Sequence, residues 1–209
     1  LVTKIDPGPT PATIVTDKQR LQATRVVLAA GPWSGALLAD LGIHVPLAPA
    51  VAQVTFLDAP AQVDRPGVAE WETFETGGVY GHPVPGIGYK IALDAGSAGW
   101  DPDVTDWAPD RAEERRILDW LAQRMPGMPR KVARTQRHPW TMTPDADFLI
   151  DSRGPLTLAC GCSGHAFKFG PALGRLVADV MDGVDAPAAF KLDRPGLKRA
   201  VSPTDPIVR

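Results

Sequence analysis

The sequence predicts an α/β fold combined with an α+β region, in which two α/β pieces flank an inserted antiparallel-sheet segment. Two stretches predict the α/β pieces, because each runs from an apolar strand through a glycine turn into a helix: "VVLAAGPWSGALLADLG" and "LTLACGCSGHAFKFGPALGRLVADVMDG". The segment between them changes to short strands broken by Gly and Pro. We therefore expect a discontinuous domain of residues 1–45 and 140–209 that holds a second domain of residues 46–139.

The first α/β piece begins with the apolar run Val26–Ala30, which is typical of a strand buried on both faces of a parallel sheet. Gly31 interrupts the run, and Pro32 suits the first position of a helix. Leucines then follow at helical spacing until Gly42, a residue that favours the end of a helix.

The middle segment contains the apolar stretches "VAQVTFLD" and "GYKIALD", which predict strands. One helix interrupts these strands at "PDRAEERRILDWLAQRMPG", with its carboxylates early and Pro and Gly at its end. The apolar side of this helix consists of Ile117, Leu118, Leu121 and Met125.

The second α/β piece contains a strand at Leu156–Gly161, a helix between Pro171 and Gly183, and an irregular tail from Val184. Like Val26–Ala30, this strand is apolar and is followed by a helix of its own. We therefore expect both strands to lie in one layer, although they are far apart in the chain.

The composition excludes several classes of protein. The chain of 209 residues carries a net charge of -2, which does not indicate binding to nucleic acid or to an anionic membrane. No apolar run approaches the length of roughly 18 residues that a membrane helix needs, so we expect a cytoplasmic protein. Cys160 and Cys162 are too close for easy bridging and too few for a zinc site, so we interpret them as reduced, buried thiols and expect no metal.

Four stretches in order resemble the FAD-dependent amine and amino-acid oxidases typified by monomeric sarcosine oxidase and N-methyltryptophan oxidase. They are "VVLAAGPWSGALL", "VYGHPVPGIGYKIALD", "TMTPDADFLID" and "CGCSGHAFKFGPALG", of which the last is the most specific. Members of that family begin with a strand, a G-x-G-x-x-G turn and a helix that holds the FAD pyrophosphate. The chain contains no such motif, so the resemblance implies the C-terminal half of a family member, with the N-terminal Rossmann unit missing.

The resemblance implies an FAD cofactor, with contacts from Gly31, His138, Thr141, Gly161, Gly164, His165 and Lys168. Glycines such as Gly161, Gly164 and Gly170 would let the main chain approach the flavin ring, which a Cβ would hinder. The helix that begins near Pro171 would place its N-terminus toward the negative charge that reduction adds to the flavin. The structural alternative is a helix-capping turn with a solvated lysine and a hydrogen-bonded histidine.

The resemblance also implies roles in catalysis and substrate binding. The family lysine that matches Lys90 contacts the flavin N5 through water and promotes the reaction with oxygen, because a cation there stabilises superoxide. His165 matches a histidine at the substrate side of the flavin, Lys168 a lysine that holds the substrate carboxylate, and Tyr80 a substrate-pocket tyrosine. The structural alternatives are a solvent-facing strand lysine at position 90 and a packing tyrosine at position 80.

Two positions depart from the family pattern. His138 stands where sarcosine oxidases carry the cysteine that bonds to the flavin 8-methyl group, so we expect non-covalent FAD unless the imidazole replaces the thiolate. A histidine that packs on the flavin rim is the simpler alternative. Asp94 replaces a substrate-side histidine four residues after Lys90, and its carboxylate would attract a cationic amine and disfavour a second carboxylate. Sarcosine itself is therefore not the expected substrate.

These observations support two hypotheses about function. The first is an FAD-dependent oxidoreductase that acts on the C–N bond of an amine or N-substituted amino acid, passes hydride to flavin N5 and returns the electrons to oxygen to give peroxide. A dehydrogenase that passes the electrons to another acceptor is its near variant. The second is a truncated, non-catalytic half-domain that binds flavin only with another segment. The expected partners are the small-molecule substrate and the missing N-terminal half of the flavin domain.

Overall fold

The computed structural model describes residues 1–8, 10–59, 67–74, 77–93, 97–98, 100–104 and 107–198. The strands in these residues are β1 (Val2–Asp6), β2 (Ala12–Thr16), β3 (Arg20–Ala23), β4 (Val26–Leu28), β5 (Ala48–Leu57), β6 (Val68–Phe74), β7 (Gly77–Val84), β8 (Gly88–Leu93), β9 (Ser97–Ala98), β10 (Val132–Met142), β11 (Leu149–Arg153) and β12 (Leu156–Cys160). The α-helices are α1 (Ser34–Asp40), α2 (Arg111–Arg124) and α3 (Gly170–Met181). None of these helices is long and apolar enough to cross a membrane.

The described chain divides into two compact units. The first unit contains Leu1–Pro49 and the residues from Trp140 to the end of the described chain. The second unit contains Ala50–Pro139 and is therefore inserted, in chain order, within the first.

The first unit contains a three-stranded sheet in the order β11-β12-β4. β12 pairs with β4 in parallel, and Leu156, Thr157 and Leu158 lie opposite Val26, Val27 and Leu28. This pairing confirms the prediction that the two apolar strands share one layer. β11 pairs with β12 antiparallel, so the sheet is mixed.

Helices cover the two faces of this sheet. On one face, Leu28, Leu158 and other strand residues pack with Leu38 of α1 in one buried cluster. On the other face, Phe148 and Ile150 pack with Val180 of α3. The unit is therefore an α/β layer structure, as the sequence predicts.

The prediction that Val26–Ala30 is buried on both faces is wrong. β4 ends at Leu28, and Val27 is 42% exposed while Leu28 on the opposite face is 3% exposed. The reason is that β4 is the edge strand of the sheet, and α3 packs over β11 and β12 instead. An apolar run does not report whether a neighbouring element covers both of its faces.

The helix ends follow the predicted signals. A 3₁₀ turn at Gly31–Trp33 with Pro32 at its start leads into α1, and Gly42 follows the helix with a φ of 72°. Likewise, Gly183 follows α3 with a φ of 96°. A glycine in the left-handed region stops a helix because it lacks the Cβ that makes this conformation costly.

A separate antiparallel sheet in the order β1-β2-β3 lies in the first unit and has no counterpart in the sequence prediction. Its strands are short and mostly exposed, with only Ile5 and Ala12 among the buried hydrophobic residues. Polar residues alternate with apolar ones in β3, "RLQA", and this is a signal that could have revealed it.

The second unit is built on a larger sheet in the order β10-β5-β8-β7-β6, with β9 beside β5. α2 packs on one face of this sheet, where Ile117, Trp120 and Leu121 contact the strand residues Tyr89 and Ile91 in one buried cluster. The Asp110 side chain caps α2 by accepting hydrogen bonds from the backbone N–H groups of Ala112 and Glu113. Strand side chains that point away from α2 lie on the opposite face of the sheet.

Candidate active site

The glycine-rich turn after β12 has an unusual backbone. Gly161, Ser163 and Gly164 all lie in the left-handed region, with φ values of 60°, 49° and 74°. Ser163 is fully buried, its N–H donates to Thr141 O at 2.8 Å, and its Oγ lies 3.2 Å from Thr143 Oγ1. These bonds hold a non-glycine residue in a costly conformation, and such strain is concentrated at functional sites.

The glycines of this turn make room for the chain's own side chains. A Cβ at Gly164 would lie 1.5 Å from Cζ3 of Trp140, and a Cβ at Gly161 would lie 2.4 Å from Cγ2 of Thr143. The contacts in the structure thus supply a different reason for these two glycines than approach to a flavin ring. Gly31 is different, because no heavy atom lies within 4 Å of its Cβ position, and the same holds for Gly170.

The structure places His165 in an aromatic cluster beside the turn. Its Nε2 lies 2.8 Å from Ala146 O, and its ring centroid lies 4.8 Å from that of Phe148. Since a carbonyl oxygen only accepts, Nε2 carries the hydrogen in this contact, and Nδ1 is the acceptor nitrogen of the neutral ring. The structure therefore assigns the tautomer of His165.

The loop that holds His165 is fixed by Arg194, a residue that the sequence prediction left in the irregular tail. Its guanidinium binds both carboxylate oxygens of Asp145, at 2.7 and 2.9 Å, and donates to Phe148 O at 3.0 Å. Burial raises the pKa of Asp145, but the hydrogen bonds and the charge of Arg194 outweigh it, so that this pKa lies below its usual value. Arg194 therefore positions His165 through the Asp145–Phe148 loop.

Lys168 and Thr141 differ sharply in exposure. The Lys168 side chain is exposed, and its Nζ lies 5.6 Å from the ring centroid of Phe169. Thr141 is fully buried, and its Oγ1 has no hydrogen-bond partner among the described residues. An unsatisfied buried hydroxyl is uncommon and is compatible with a polar group supplied from outside the described chain.

A pocket of about 210 Å³ lies in the first unit at the carboxyl ends of the parallel strands β4 and β12. Its lining is mostly apolar and consists of Ala29, Gly31, Phe148, Ile150, Ala159, Cys160, Gly161, Cys162, Ala166, Leu173 and Val177. Nucleotide cofactors bind at the carboxyl ends of parallel strands in α/β proteins. The free space at Gly31 and the orphaned hydroxyl of Thr141 in the same unit both fit the binding of part of such a cofactor.

The two free thiols line this pocket. Cys160 is buried and its Sγ donates to Leu28 O at 3.4 Å, while Cys162 is half-buried. Burial raises the pKa of Cys160, so the thiol stays protonated and behaves as a small packing residue. In the described part of the chain, no group of His, Cys, Asp and Glu side chains is arranged to hold a metal ion.

Lys90 lies in the second unit on the face of the large sheet that is opposite α2. Tyr89 and Ile91, its neighbours in β8, are fully buried on the α2 side. Lys90 Nζ lies 5.6 Å from the ring centroid of Tyr80, so the sheet brings these two candidate residues together. Asp94, the third candidate residue near this strand, lies outside the described residues.

His138 and Arg134 lie on the same face of the sheet. The Arg134 guanidinium stacks 4.4 Å from the ring centroid of Phe56, the residue opposite Lys90 in the β5–β8 register. Desolvation, followed by the positive charges of Lys90 and Arg134, lowers the pKa of His138, so the imidazole is neutral near pH 7. Sequence reasoning missed Arg134, although its spacing of four residues from His138 places both side chains on one side of β10.

The parallel strand pair, the glycine turns at its carboxyl end and the helices on its two faces are features found in nucleotide-binding α/β proteins. Comparison with known proteins specifies the class: the model of the FAD dependent oxidoreductase family matches residues 2–180. The chain belongs to this family, and its cofactor is therefore FAD.

Relatives include the monomeric sarcosine oxidase of Streptomyces avermitilis, which is 28% identical over 190 residues that cover 86% of this chain and 49% of that protein. The probable sarcosine oxidase of Arabidopsis thaliana is 32% identical over 78% of this chain and 42% of its own length. The N-methyl-L-tryptophan oxidase of Yersinia pestis is 28% identical over 92% of this chain and 54% of its own length. The chain thus spans about half the length of the relatives that it matches.

Solved structures of the same fold include the glycine oxidase of Geobacillus kaustophilus, with a TM-score of 0.75 and 19% identity over 97% of this chain and 52% of that one. The L-amino acid deaminase of Proteus vulgaris has a TM-score of 0.77 and 16% identity over 92% of this chain and 57% of that one. At these identities, the similarity defines the fold.

Proposed function

We propose that the protein is an oxidase of the C–N bond of an amine or an N-substituted amino acid. The observation that carries this proposal is the clustering of Lys90, Tyr80 and His138 on one face of the second unit's sheet. Family membership and the matches to sarcosine and N-methyltryptophan oxidases support the reaction class. The first unit would bind FAD and contribute His165 and Lys168, and the second unit would contribute Lys90 and Tyr80.

When bound, FAD supplies an N5 acceptor for the hydride from the carbon beside the amine nitrogen and passes the two electrons to oxygen, which leaves as hydrogen peroxide. The substrate-derived imine is hydrolysed by water to a carbonyl compound and an amine.

In the first unit, His165 presents Nδ1 as an acceptor, because its Nε2–H is engaged by Ala146 O. We assign to this Nδ1 the role of accepting a proton from the substrate amine, since hydride departs most readily from a neutral amine. The exposed Lys168 would bind the substrate carboxylate as a point charge, without a partner carboxylate among the described residues.

In the second unit, Lys90 would provide positive charge where oxygen is reduced, because a fixed cation stabilises a developing anion most strongly in a site that excludes water. Tyr80 would line the substrate pocket beside Lys90. Asp94 would attract the cationic form of the amine and bring it to the site.

The FAD would be bound non-covalently, because His138 replaces the family's attachment cysteine. Acid or heat denaturation of the full-length protein should therefore release the whole of its flavin. A lowered pKa leaves His138 in the neutral form, which is also the nucleophilic form of an imidazole. Flavin fluorescence that stays with the polypeptide in a denaturing gel would therefore establish a histidyl linkage and contradict the non-covalent proposal.

The alternative is a non-catalytic half-domain that binds flavin only with another segment. The chain spans about half the length of the relatives that it matches, which is consistent with this alternative. Purification of the full-length protein and of this 209-residue chain separates the two proposals. The oxidase proposal predicts bound flavin in the full-length protein and peroxide release with N-methyl amino acids. A full-length protein that contains no flavin would instead support the half-domain.

A further inference from the structure

Two contacts that orient the His165 ring come from one short segment, residues 145–148, which we call the 145–148 loop. Ala146 O accepts the hydrogen of Nε2 at 2.8 Å, and the Phe148 ring lies beside the imidazole with an interplanar angle of 33°. The hydrogen bond fixes the direction of Nε2, and the aromatic neighbour restricts the plane of the ring. The position of this loop therefore sets the direction in which Nδ1 points.

The 145–148 loop contains a strained residue. Ala146 has a φ of 60°, in the left-handed region where a Cβ is costly, and such a residue persists only where its surroundings fix it. Its N–H donates to Thr143 O at 3.2 Å, and Thr143 Oγ1 donates to Asp147 O at 2.7 Å. The Thr143 N–H donates in turn to Ser163 Oγ, in the glycine-rich turn. The loop is thus attached to the turn that precedes the histidine.

Arg194 binds three of the four residues of this loop. Its Nε and Nη2 bind the two carboxylate oxygens of Asp145 at 2.7 and 2.9 Å. Its Nη2 also donates to Asp147 O at 3.1 Å, and its Nη1 donates to Phe148 O at 3.0 Å. Because these contacts lie on both sides of Ala146 in the chain, they fix the carbonyl group that holds the imidazole.

The turn that follows Arg194 is shaped to the same carboxylate. Pro195–Lys198 form a 3₁₀ turn, and a Cβ at Gly196 would lie 1.8 Å from Asp145 Oδ2. Any side chain at this position would therefore displace the carboxylate from the guanidinium. This close approach is a second observation, separate from the ion pair, that the segment holds the 145–148 loop.

A directional role explains why this contact is an ion pair. Apolar residues of similar volume often stabilise a protein as well as a buried ion pair does. A guanidinium differs from such residues because its donors lie in a rigid planar fork, which fixes the angle as well as the distance of its partners. The Arg194 side chain is only 5% exposed, so few water molecules can replace these partners.

We propose that Arg194 is a positioning residue for the proton acceptor of the reaction: it fixes Ala146 O, which keeps Nε2–H of His165 bound and presents Nδ1 to the substrate amine. The proton then passes from the ammonium nitrogen to Nδ1, while the Nε2–H bond and its contact with the carbonyl oxygen remain. This inference rests on the proposed amine oxidation and adds the residue that orients its proton acceptor. Arg194 acts through the 145–148 loop.

The direct test is NMR of the full-length protein with ¹⁵N-labelled histidines, with the His165 signals assigned from a His165→Gln variant. We expect an Nε2–H proton that exchanges slowly with water, because a hydrogen-bonded N–H exchanges only after the bond opens. Arg194→Met should speed this exchange about tenfold or more. Arg175→Met, which removes an exposed arginine paired with Asp179 in the same unit, is the matched control and should leave the exchange unchanged.

Two further variants keep the test decisive if Arg194→Met does not fold. Arg194→Lys keeps the charge without the fork and should retain part of the protection of Nε2–H. Gly196→Ala keeps Arg194 but displaces the Asp145 carboxylate, so it should also speed the exchange. Gly174→Ala, whose Cβ would meet no heavy atom within 4 Å, is the control for this variant and should not change the exchange.

The two half-reactions separate positioning from general damage. Arg194→Met should slow anaerobic reduction of the flavin by an N-methyl amino acid about tenfold or more, because proton transfer to a side chain depends on its geometry. Reoxidation by oxygen should change less than about twofold, since we assign it to Lys90 in the second unit. Stopped-flow absorbance of the folded, flavin-loaded variants measures both rates.

A rapidly exchanging Nε2–H in the parent, or equal exchange in the parent and in every variant of Arg194 and Gly196, would overturn the positioning role. Equal slowing of both half-reactions would also overturn it. The proposed function is judged separately. Protection of Nε2–H that depends on Arg194, in a protein whose flavin no amine reduces, would contradict only the proposed function. An unchanged rate of reduction in Arg194→Met would contradict only the positioning role.

Discussion

The buried ion pair between Arg194 and Asp145 gives the sharpest stability prediction. The two side chains are only 5% and 12% exposed, and the Arg194 guanidinium also donates to the carbonyl oxygens of Asp147 and Phe148 at 3.1 and 3.0 Å. Arg194→Met removes the charge and all of these donors while it keeps most of the side-chain volume. The change leaves the Asp145 carboxylate and the Phe148 carbonyl oxygen without this buried donor.

The expected loss in the free energy of unfolding is about 3–5 kcal/mol, the range measured when one member of a buried ion pair is removed. Arg175→Met on α3 is the matched control, because Arg175 forms an exposed pair with Asp179, and its loss should be about 0.5 kcal/mol or less. The double variant Arg194→Met/Asp145→Asn should regain about 1 kcal/mol or more, because it removes the unpaired charge.

The assay is urea unfolding of the full-length protein followed by tryptophan fluorescence and circular dichroism. The effect also has a defined pH dependence. Because the folded-state pKa of Asp145 is depressed, the ion pair stabilises the fold above the unfolded-state pKa near 3.9 and loses this effect as pH falls through the folded-state pKa. The difference between parent and Arg194→Met should therefore shrink in acid. Equal losses in Arg194→Met and Arg175→Met would show that the buried ion pair stabilises the fold no more than the exposed one.

Three further predictions follow from the site and from α2. Lys90→Met should slow reoxidation by oxygen by about 100-fold while anaerobic reduction changes much less, and stopped-flow measurement of both half-reactions checks this. Burial and the charge of Asp110 raise the pKa of Glu113 from about 4.5 to about 7 in the folded protein. The protonated side chain therefore contributes its full stabilisation below pH 4.5. This contribution is lost as the pH rises through 7. Glu113→Gln should therefore gain about 1–2 kcal/mol above pH 7, a value reduced for partial exposure, and equal gains at pH 5 and 8 would contradict it. Gly164→Ala should destabilise the protein, because its Cβ would meet an indole ring at 1.5 Å, whereas Gly174→Ala in α3 should not; chemical denaturation compares the two.

The shared layer of β4 and β12 could be predicted from the sequence, because both strands are local runs of apolar residues that end at glycines. The positions of Pro32, Gly42 and Gly183 at helix ends were also predictable, since the signals for a helix end are local. In contrast, the exposure of Val27 depends on which elements cover the sheet edge, and a single strand does not encode that information.

The candidate site was predictable only in part. The alternation of Tyr89, Lys90 and Ile91 predicts opposite faces, and the structure confirms that the flanking residues are buried against α2. The reason for Gly164 was not predictable, because the Trp140 ring reaches it only in the folded chain. Arg194 was missed for the same reason, since its partner Asp145 lies far from it in the sequence.

Anaerobic mixing of the full-length protein with N-methyl amino acids tests most directly whether the protein oxidises amines with FAD. We expect the flavin absorption band to bleach in a substrate-dependent way. Admission of air should then restore the band and release one hydrogen peroxide per turnover. A full-length protein whose bound flavin is not bleached by any amine, or that contains no flavin, would contradict amine oxidation with FAD.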